Sequence, residues 1–239
     1  MKCILLPLLA IVAVGPSAGA AAQHSETTVI NDDGWNTVIQ GGRSIVNGSG
    51  RIVTQARPVS NFRAIELGGS ADLHVRLGSR PSLSIQADDN LMPYLTSDVV
   101  AGTLRLGTRG SFRTHHRLAI YVTVPDVQSI RSRGSGNVDV TGVSNREIHL
   151  VTQGSGDLRA RGRTGFLDAK VQGSGNADMR GIEADNARVA VLGSGNAWVA
   201  TRGAVSAVSL GSGNVYVIGR PASLDIRQGG SGRVIVNGR

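Results

Sequence analysis

A four-residue motif recurs through the second half of this chain at nearly constant spacing. Gly134-Ser135-Gly136-Asn137 is followed by five related copies, and their first glycines lie 20, 19, 20, 18 and 19 residues apart. The turn positions are Gly134, Gly136, Asn137, Gly154, Gly156, Asp157, Gly173, Gly175, Asn176, Gly193, Gly195, Asn196, Gly211, Gly213, Asn214, Gly230 and Gly232. Self-similarity at this period is typical of solenoids, in which each repeat adds one layer.

The residues that flank each copy alternate between apolar and polar. Six and four residues before Gly154 stand Ile148 and Leu150, and four and six residues after it stand Leu158 and Ala160. Alternation on both sides of a glycine-rich turn indicates strand, turn and strand, and glycine recurs too often here for a helix. A hairpin meander also fits one such unit. The regular period favours an all-β, right-handed parallel β-helix-like solenoid with rungs of about 19 residues.

Stacking of these rungs about 4.8 Å apart would place equivalent turn residues in ladders. The serines between the paired glycines would form one ladder, and Asn137 and its counterparts would form another. Glycine permits positive φ at such a corner, and asparagine tolerates the left-handed region while its amide bonds to neighbours. We therefore interpret the motif as structural.

Residues 1–22 have the layout of a cleavable secretory signal, with a basic start, an apolar run from Ile4 to Val14 and small residues up to Ala22. The run is shorter than the roughly 20 residues that a membrane-spanning helix needs, so no transmembrane segment is expected after cleavage. Cys3 is the only cysteine, which excludes disulfides and cysteine zinc sites from the mature chain. The sequence predicts export to the periplasm or the outer cell surface.

The remaining chain divides into three regions. Residues 23–50 are polar and rich in Gly and Asn, which predicts a flexible leader. Residues 51–127 are predicted to be an irregular β half with one helical turn near 89–95, and residues 128–239 are predicted to be the repeat solenoid. The pattern leaves open whether the irregular half continues the solenoid or packs as a separate β unit.

Several segments together resemble the head GIN domain family, which is labelled a putative autotransporter adhesin and a domain of unknown function. The segments are Arg51-Ile52-Val53, Phe62-Arg63-Ala64-Ile65, Gly69-Ser70-Ala71-Asp72-Leu73, Val124-Pro125-Asp126-Val127-Gln128-Ser129-Ile130 and the six repeats. The resemblance covers about residues 51 to 239. It implies a right-handed β-helix-like fold in a secreted or envelope protein, and it carries over no catalytic residues.

The sequence contains no Gly-x-Ser-x-Gly elbow, no dinucleotide fingerprint and no P-loop, so neither a cofactor nor a metal ion is predicted. The best enzymatic candidate is Asp139, Arg159 and Asp178, which occupy the same outward position on three successive rungs. Lyases and pectinases use carboxylates and basic side chains on the flank of a β-helix. The alternative is a charge ladder whose members neutralise each other across rungs.

The outward positions change character along the repeats. The residue before the first glycine is polar in the earlier copies but is Leu192 and then Leu210 in later ones, where Val208, Trp198 and Tyr216 also point outward. A large exposed apolar patch usually marks a contact surface. These five residues form the candidate contact surface. Three alternatives remain open: another part of the chain covers it, it is an interface between copies, or it is an aromatic platform for sugar rings.

The formal net charge of +8 is carried almost wholly by arginine. These arginines either attract anionic envelope partners or reflect a codon preference and solvate outward faces. Codon preference is favoured, because no run of five or six basic residues occurs. The candidate partners are envelope polysaccharide, lipopolysaccharide or a second copy, and not nucleic acid. The sequence predicts a non-enzymatic, exported cell-envelope protein that works as a binding, adhesion or assembly module. The alternative is a carbohydrate-active β-helix enzyme that uses the row of Asp139, Arg159 and Asp178.

Overall fold

A computed structural model of the protein describes residues 26–30, 36–40 and 43–238. The predicted signal peptide lies outside the described residues. Apart from a short 3-10 helix at Asp89–Tyr94, where a helical turn was predicted, the regular structure in the described part is strand. In the first half the strands are β1 (Glu26–Ile30), β2 (Asn36–Gln40), β3 (Arg43–Asn47), β4 (Ile52–Arg57), β5 (Ala64–Leu67), β6 (Asp72–Leu77), β7 (Ser82–Asp88), β8 (Leu95–Val100), β9 (Thr103–Thr108), β10 (Ser111–Arg113) and β11 (Ala119–Val124).

The repeat half stacks as parallel coils. Its strands are β12 (Ser129–Ser132), β13 (Val138–Thr152), β14 (Leu158–Val171), β15 (Ala177–Val191), β16 (Ala197–Thr201), β17 (Ala204–Ser209), β18 (Val215–Ile218), β19 (Ser223–Gln228) and β20 (Val234–Asn237). Each of β13, β14 and β15 leaves one glycine corner, bends, and returns to the next. Their residues pair in parallel register one coil apart, as Leu150 does with Ala169 and Ala169 with Val189. The predicted fold class is confirmed as a β-solenoid of about five turns.

The core is a column of small aliphatic side chains between the two strand segments of each coil. Val189, Val199 and Val217 are fully buried, as their alternation with polar neighbours predicts. Burial continues through successive coils because each coil covers the previous one. It stops at the last coil, where Leu224 and Ile226 are 37% and 39% exposed.

The first half continues the same stack, which answers the question that the sequence left open. β5 pairs in parallel with β12, and β6 pairs in parallel with the first segment of β13. Between these strands, Gly69-Ser70-Ala71-Asp72 forms a corner directly below Gly134, so it is an additional copy of the repeat with alanine and aspartate in the last two places. Antiparallel pairs of β4 with β7 and of β8 with β9 end the stack on this side.

The described part of residues 23–50 contains three strands, a feature that its polar composition does not indicate. β1, β2 and β3 form an antiparallel meander, and β3 pairs in parallel with β10. The three β-branched residues Thr37-Val38-Ile39 are compatible with a strand, but the glycines and asparagines around them dominate the composition.

The corner glycines are explained by close stacking. A Cβ at Gly195 would lie 1.8 Å from the carbonyl oxygen of Gly175 one coil below, and a Cβ at Gly193 would lie 2.1 Å from that of Gly173. Among the six glycine-serine-glycine corners only Gly230 has a positive φ, and none of the corner asparagines does. The expectation of a left-handed corner is therefore wrong, because it is the contact between stacked backbones that excludes a side chain.

A ladder of side-chain amides and carboxylates runs beside the corners. The Oδ1 atom of Asn196 accepts a hydrogen bond of 2.9 Å from the backbone N–H of Asn214, and the Nδ2 atom of Asn196 donates to Oδ1 of Asn176 at 3.2 Å. The side chains that accept a backbone N–H from the next coil are Asp72, Asn137, Asp157, Asn176, Asn196 and Asn214. A carboxylate serves as well as an amide here because the position needs an acceptor, which is why Asp157 fits the row.

Candidate contact surface

The outward side chains of the strand segment that follows each corner form one row across the stack. Parallel register places these residues side by side, in the order Tyr121, His74, Asp139, Arg159, Asp178, Trp198, Tyr216 and Ile235. The row therefore has a stacked ring pair toward each end and charged residues between them.

The indole of Trp198 is covered on both faces. Its ring lies parallel to that of Tyr216 on the next coil, with 5.2 Å between centroids and 5° between planes. On the side of the previous coil, the guanidinium carbon of Arg180 lies 5.9 Å from the ring centroid. A sugar ring needs a free aromatic face, so this geometry does not support Trp198 as a sugar platform. The contacts instead join three successive coils.

Asp178 is engaged by a residue of its own strand. Its Oδ2 atom lies 2.6 Å from Nη2 of Arg180. Hydrogen bonds from the Arg180 side chain hold the pKa of the Asp178 carboxyl below its ordinary value, and the nearby charge of Arg159 acts in the same direction. Asp178 is therefore a carboxylate in an ion pair rather than a member of an open row.

Asp139 and Arg159 lie in a small pocket. The pocket has a volume of about 220 Å³ and is lined by Asp72, His74, Asn137, Val138, Asp139, Asp157 and Arg159. Two of its carboxylates already accept ladder hydrogen bonds, those of Asp72 and Asp157. The third, Asp139, has a buried Oδ1 atom without a hydrogen-bond partner among the described residues. The lining does not include Asp178, so the predicted lyase-like row is divided between a pocket and an ion pair.

The sequence did not single out the pair of His74 and Tyr121 at the other end of this row. Their rings are stacked with 5.0 Å between centroids and 15° between planes. Alternation identifies each as an outward residue of its strand. Their contact depends on the parallel pairing of β6 with β11, which are separated by four other strands in the chain and could not be paired by sequence pattern.

The five residues of the candidate contact surface lie on two sides of the corners. Trp198 and Tyr216 follow a corner, whereas Val208 lies on β17, which leads into one. Leu192 and Leu210 lie between the end of a strand and the corner after it. Leu192 is 36% exposed and Leu210 is 56% exposed, and Val208 is half-buried. We call Leu192, Val208 and Leu210 the leucine surface.

Basic residues lie on both sides of the leucine surface. In parallel register, Lys170 pairs with Ala190, Ala190 with Val208, and Val208 with Arg227. The side chain of Arg227 is 75% exposed and its Nε atom lies 3.7 Å from Oδ2 of Asp225. A short apolar strip is thus flanked by one cation on the coil below and another on the coil above.

Neither a metal-binding cluster nor a membrane-spanning helix is found among the described residues. Within residues 26–30, 36–40 and 43–238, no group of three His, Cys, Asp or Glu side chains is arranged to hold a metal ion. In the same part of the chain, no helix is long and apolar enough to cross a membrane.

Comparisons with known proteins agree with the fold. The family described as "Putative auto-transporter adhesin, head GIN domain" matches residues 61–221. No curated protein matches. A crystal structure of a putative adhesin from Bacteroides fragilis has a TM-score of 0.68 at 18% identity, covering 80% of this chain and 99% of that one.

Two further solved structures have the same fold at similar distance in sequence. A putative adhesin from Parabacteroides merdae has a TM-score of 0.57 at 19% identity, covering 80% of this chain and 98% of that one. A putative lipid binding protein from Parabacteroides distasonis has a TM-score of 0.56 at 19% identity, covering 80% of this chain and 99% of that one.

Proposed function

Since the chain belongs to the family described as "Putative auto-transporter adhesin, head GIN domain", we propose that it is an exported, non-enzymatic binding module of the cell envelope whose leucine surface contacts lipopolysaccharide. The family and its structural relatives support a binding or adhesion role. The ligand, the export and the use of this surface are parts of the proposal.

The observation that carries the proposal is the exposure of Leu192 and Leu210 at positions that are polar on earlier coils. The equivalent residues there are Gln153 and Gln172. A solenoid does not need leucine at this position, because its core is already filled by residues such as Val189 and Val191. Burial of apolar surface on binding contributes about 25 cal/mol per Å² to the binding free energy, so these leucines would stabilise a complex that covers them.

The charges beside this surface favour an anionic amphiphile over an uncharged sugar. Lys170 and Arg227 flank the apolar strip, and the whole chain carries a net charge of +8. Lipopolysaccharide offers phosphate groups beside acyl chains, which matches cations beside leucines. One structural relative is described as a putative lipid binding protein, which is consistent with this chemistry.

Export is supported by residues 1–22, whose basic start, apolar run and small residues fit a cleavable signal. The proposed location is therefore the periplasm or the outer cell surface, where lipopolysaccharide is present.

The test measures co-sedimentation of the purified protein with phosphatidylcholine vesicles that contain lipopolysaccharide. The double variant Leu192→Ser with Leu210→Ser should bind roughly tenfold more weakly or worse, because two apolar contacts are lost. The matched control is Gln153→Ser with Gln172→Ser, which changes the same position on earlier coils and should bind as the unchanged protein does. Equal binding by both double variants would refute the role of the leucine surface, and equal binding to plain phosphatidylcholine would refute lipopolysaccharide as the ligand.

A further inference from the structure

In the part of the chain that the structure describes, the coil formed by β19 and β20 has two edges without a strand partner. Among the described residues β19 pairs only with β17, and β20 pairs only with β18. Side chains that point toward the core are therefore open to solvent, with Leu224, Ile226 and Val236 exposed by 37%, 39% and 41%. One coil earlier the equivalent residues are almost fully buried, namely Val205, Ala207 and Val217.

No described strand pairs with the backbone of β19 along its outer edge. In earlier coils, the carbonyl oxygen of a core-facing residue accepts a hydrogen bond from a backbone N–H of the next coil. The carbonyl oxygen of Val191 accepts one from Leu210, and that of Ser209 accepts one from Gly229. The same alternation directs the N–H and C=O groups of Leu224 and Ile226 away from β17, toward the free edge. A row of unpaired backbone groups beside exposed apolar side chains is a template for another strand.

We propose that β19 pairs with β19 of a second copy, antiparallel and centred on Ile226. Residues of β19 that face the core would then exchange both backbone hydrogen bonds, Ile226 with Ile226 and Leu224 with Gln228 of the second copy. This pairing uses the backbone groups that the first copy leaves free.

The outward charges of β19 are self-complementary in this register. Asp225 of each copy lies opposite Arg227 of the other, at the closely spaced positions that do not exchange hydrogen bonds. Within one copy Asp225 contacts Arg227 at 3.7 Å and accepts a hydrogen bond of 3.4 Å from the Ser206 hydroxyl. The side chains of Asp225 and Arg227 are 57% and 75% exposed, so both are accessible to the second copy. A strand that carries its own complementary charges favours a second copy over an unrelated chain.

In this pairing the two copies are related by a two-fold axis that passes between their Ile226 residues. Such a contact is isologous and closed, so it produces a dimer and not a fibre.

The test measures the mass of the purified chain by sedimentation over a range of concentrations. Asp225→Arg and Arg227→Asp should each raise the dissociation constant of the dimer by about tenfold or more, because two attractive cross-strand pairs become repulsive. An equimolar mixture of the two variants should restore the dimer. In the mixed dimer both cross-strand pairs again join a basic to an acidic side chain, because one copy is basic at both positions and the other is acidic at both.

Asp168→Arg is the matched control, since it changes the outward position of Asp225 three coils earlier and should leave the dimer unchanged. A chain that stays monomeric at every concentration, single variants that still dimerise, or a mixture that does not recover would each overturn the proposal. The vesicle assay of the leucine surface is read separately, so a failure of that assay leaves this result intact.

Discussion

At the scale of the residue, the corner glycines show how stacking limits side chains. Each corner lies so close to the one below that a β carbon would overlap a backbone carbonyl oxygen, as at Gly195, where the separation would be 1.8 Å. Gly219 differs, because it has a φ of 100° and its Cβ would be 3.5 Å from the nearest atom, the carbonyl oxygen of Thr201. The first glycine is required by contact, and the second by backbone conformation.

The two glycines should therefore respond differently to alanine. Gly195→Ala should lower the free energy of unfolding by about 2–4 kcal/mol, because backbone must move to admit the methyl group. Gly219→Ala should cost roughly 1–2 kcal/mol from the left-handed backbone alone. Ser194→Ala, in the exposed middle of the same corner, is the control and should cost less than either. Thermal unfolding followed by circular dichroism measures all three, and a smaller loss at Gly195 than at Gly219 would contradict the stacking explanation.

At the scale of the element, the stacked rings of Trp198 and Tyr216 stabilise the packing of neighbouring coils. The two rings lie on strands β16 and β18 and the indole also contacts Arg180 of β15. The contacts hold together the region where the strands become short, since β16 and β18 have five and four residues whereas β15 has fifteen.

The double variant Trp198→Ser with Tyr216→Ser should remain folded but lose about 2–4 kcal/mol of stability, from the stacking of the rings and the apolar area they cover. Its binding to lipopolysaccharide vesicles should match that of the unchanged protein, because the leucine surface lies on the other side of the glycine corners. Circular dichroism and co-sedimentation give the two readings. If the variant is folded but no longer binds the vesicles, the two rings are part of the contact surface.

The sequence could predict those elements that follow from periodicity. Alternation identifies Val189 and Val199 as core residues and Leu210 as an outward residue, because the parity of a strand decides which face a side chain occupies. It could not identify the first corner, since Ala71 and Asp72 replace the glycine and asparagine of the motif and 65 residues separate Gly69 from Gly134. Nor could it show that Arg180 covers Trp198, because that contact depends on side-chain conformation.

At the scale of the whole molecule, lipopolysaccharide could be attracted by the net charge of +8 or by individual cations at the contact, and the two possibilities predict different effects of single substitutions. If the field of the whole protein attracts lipopolysaccharide, every basic side chain counts about equally. If the flanking cations hold the phosphates directly, Lys170 beside Ala190 contributes to the affinity and a distant arginine does not. Arg131 occupies the same outward row as Lys170, two coils earlier, so it provides the comparison.

Lys170→Gln and Arg131→Gln each remove one positive charge, but only the first should weaken binding to lipopolysaccharide vesicles, by about threefold to tenfold. Binding by the unchanged protein should also fall as the salt concentration rises from about 0.01 M to 0.15 M, because the screening length shortens from roughly 30 Å to 8 Å. This fall should be shallower for Lys170→Gln than for Arg131→Gln. Co-sedimentation across the salt series measures both effects. Equal losses from the two variants would assign the attraction to net charge alone and remove Lys170 from the proposed contact, since a diffuse field does not distinguish two charges on the same row.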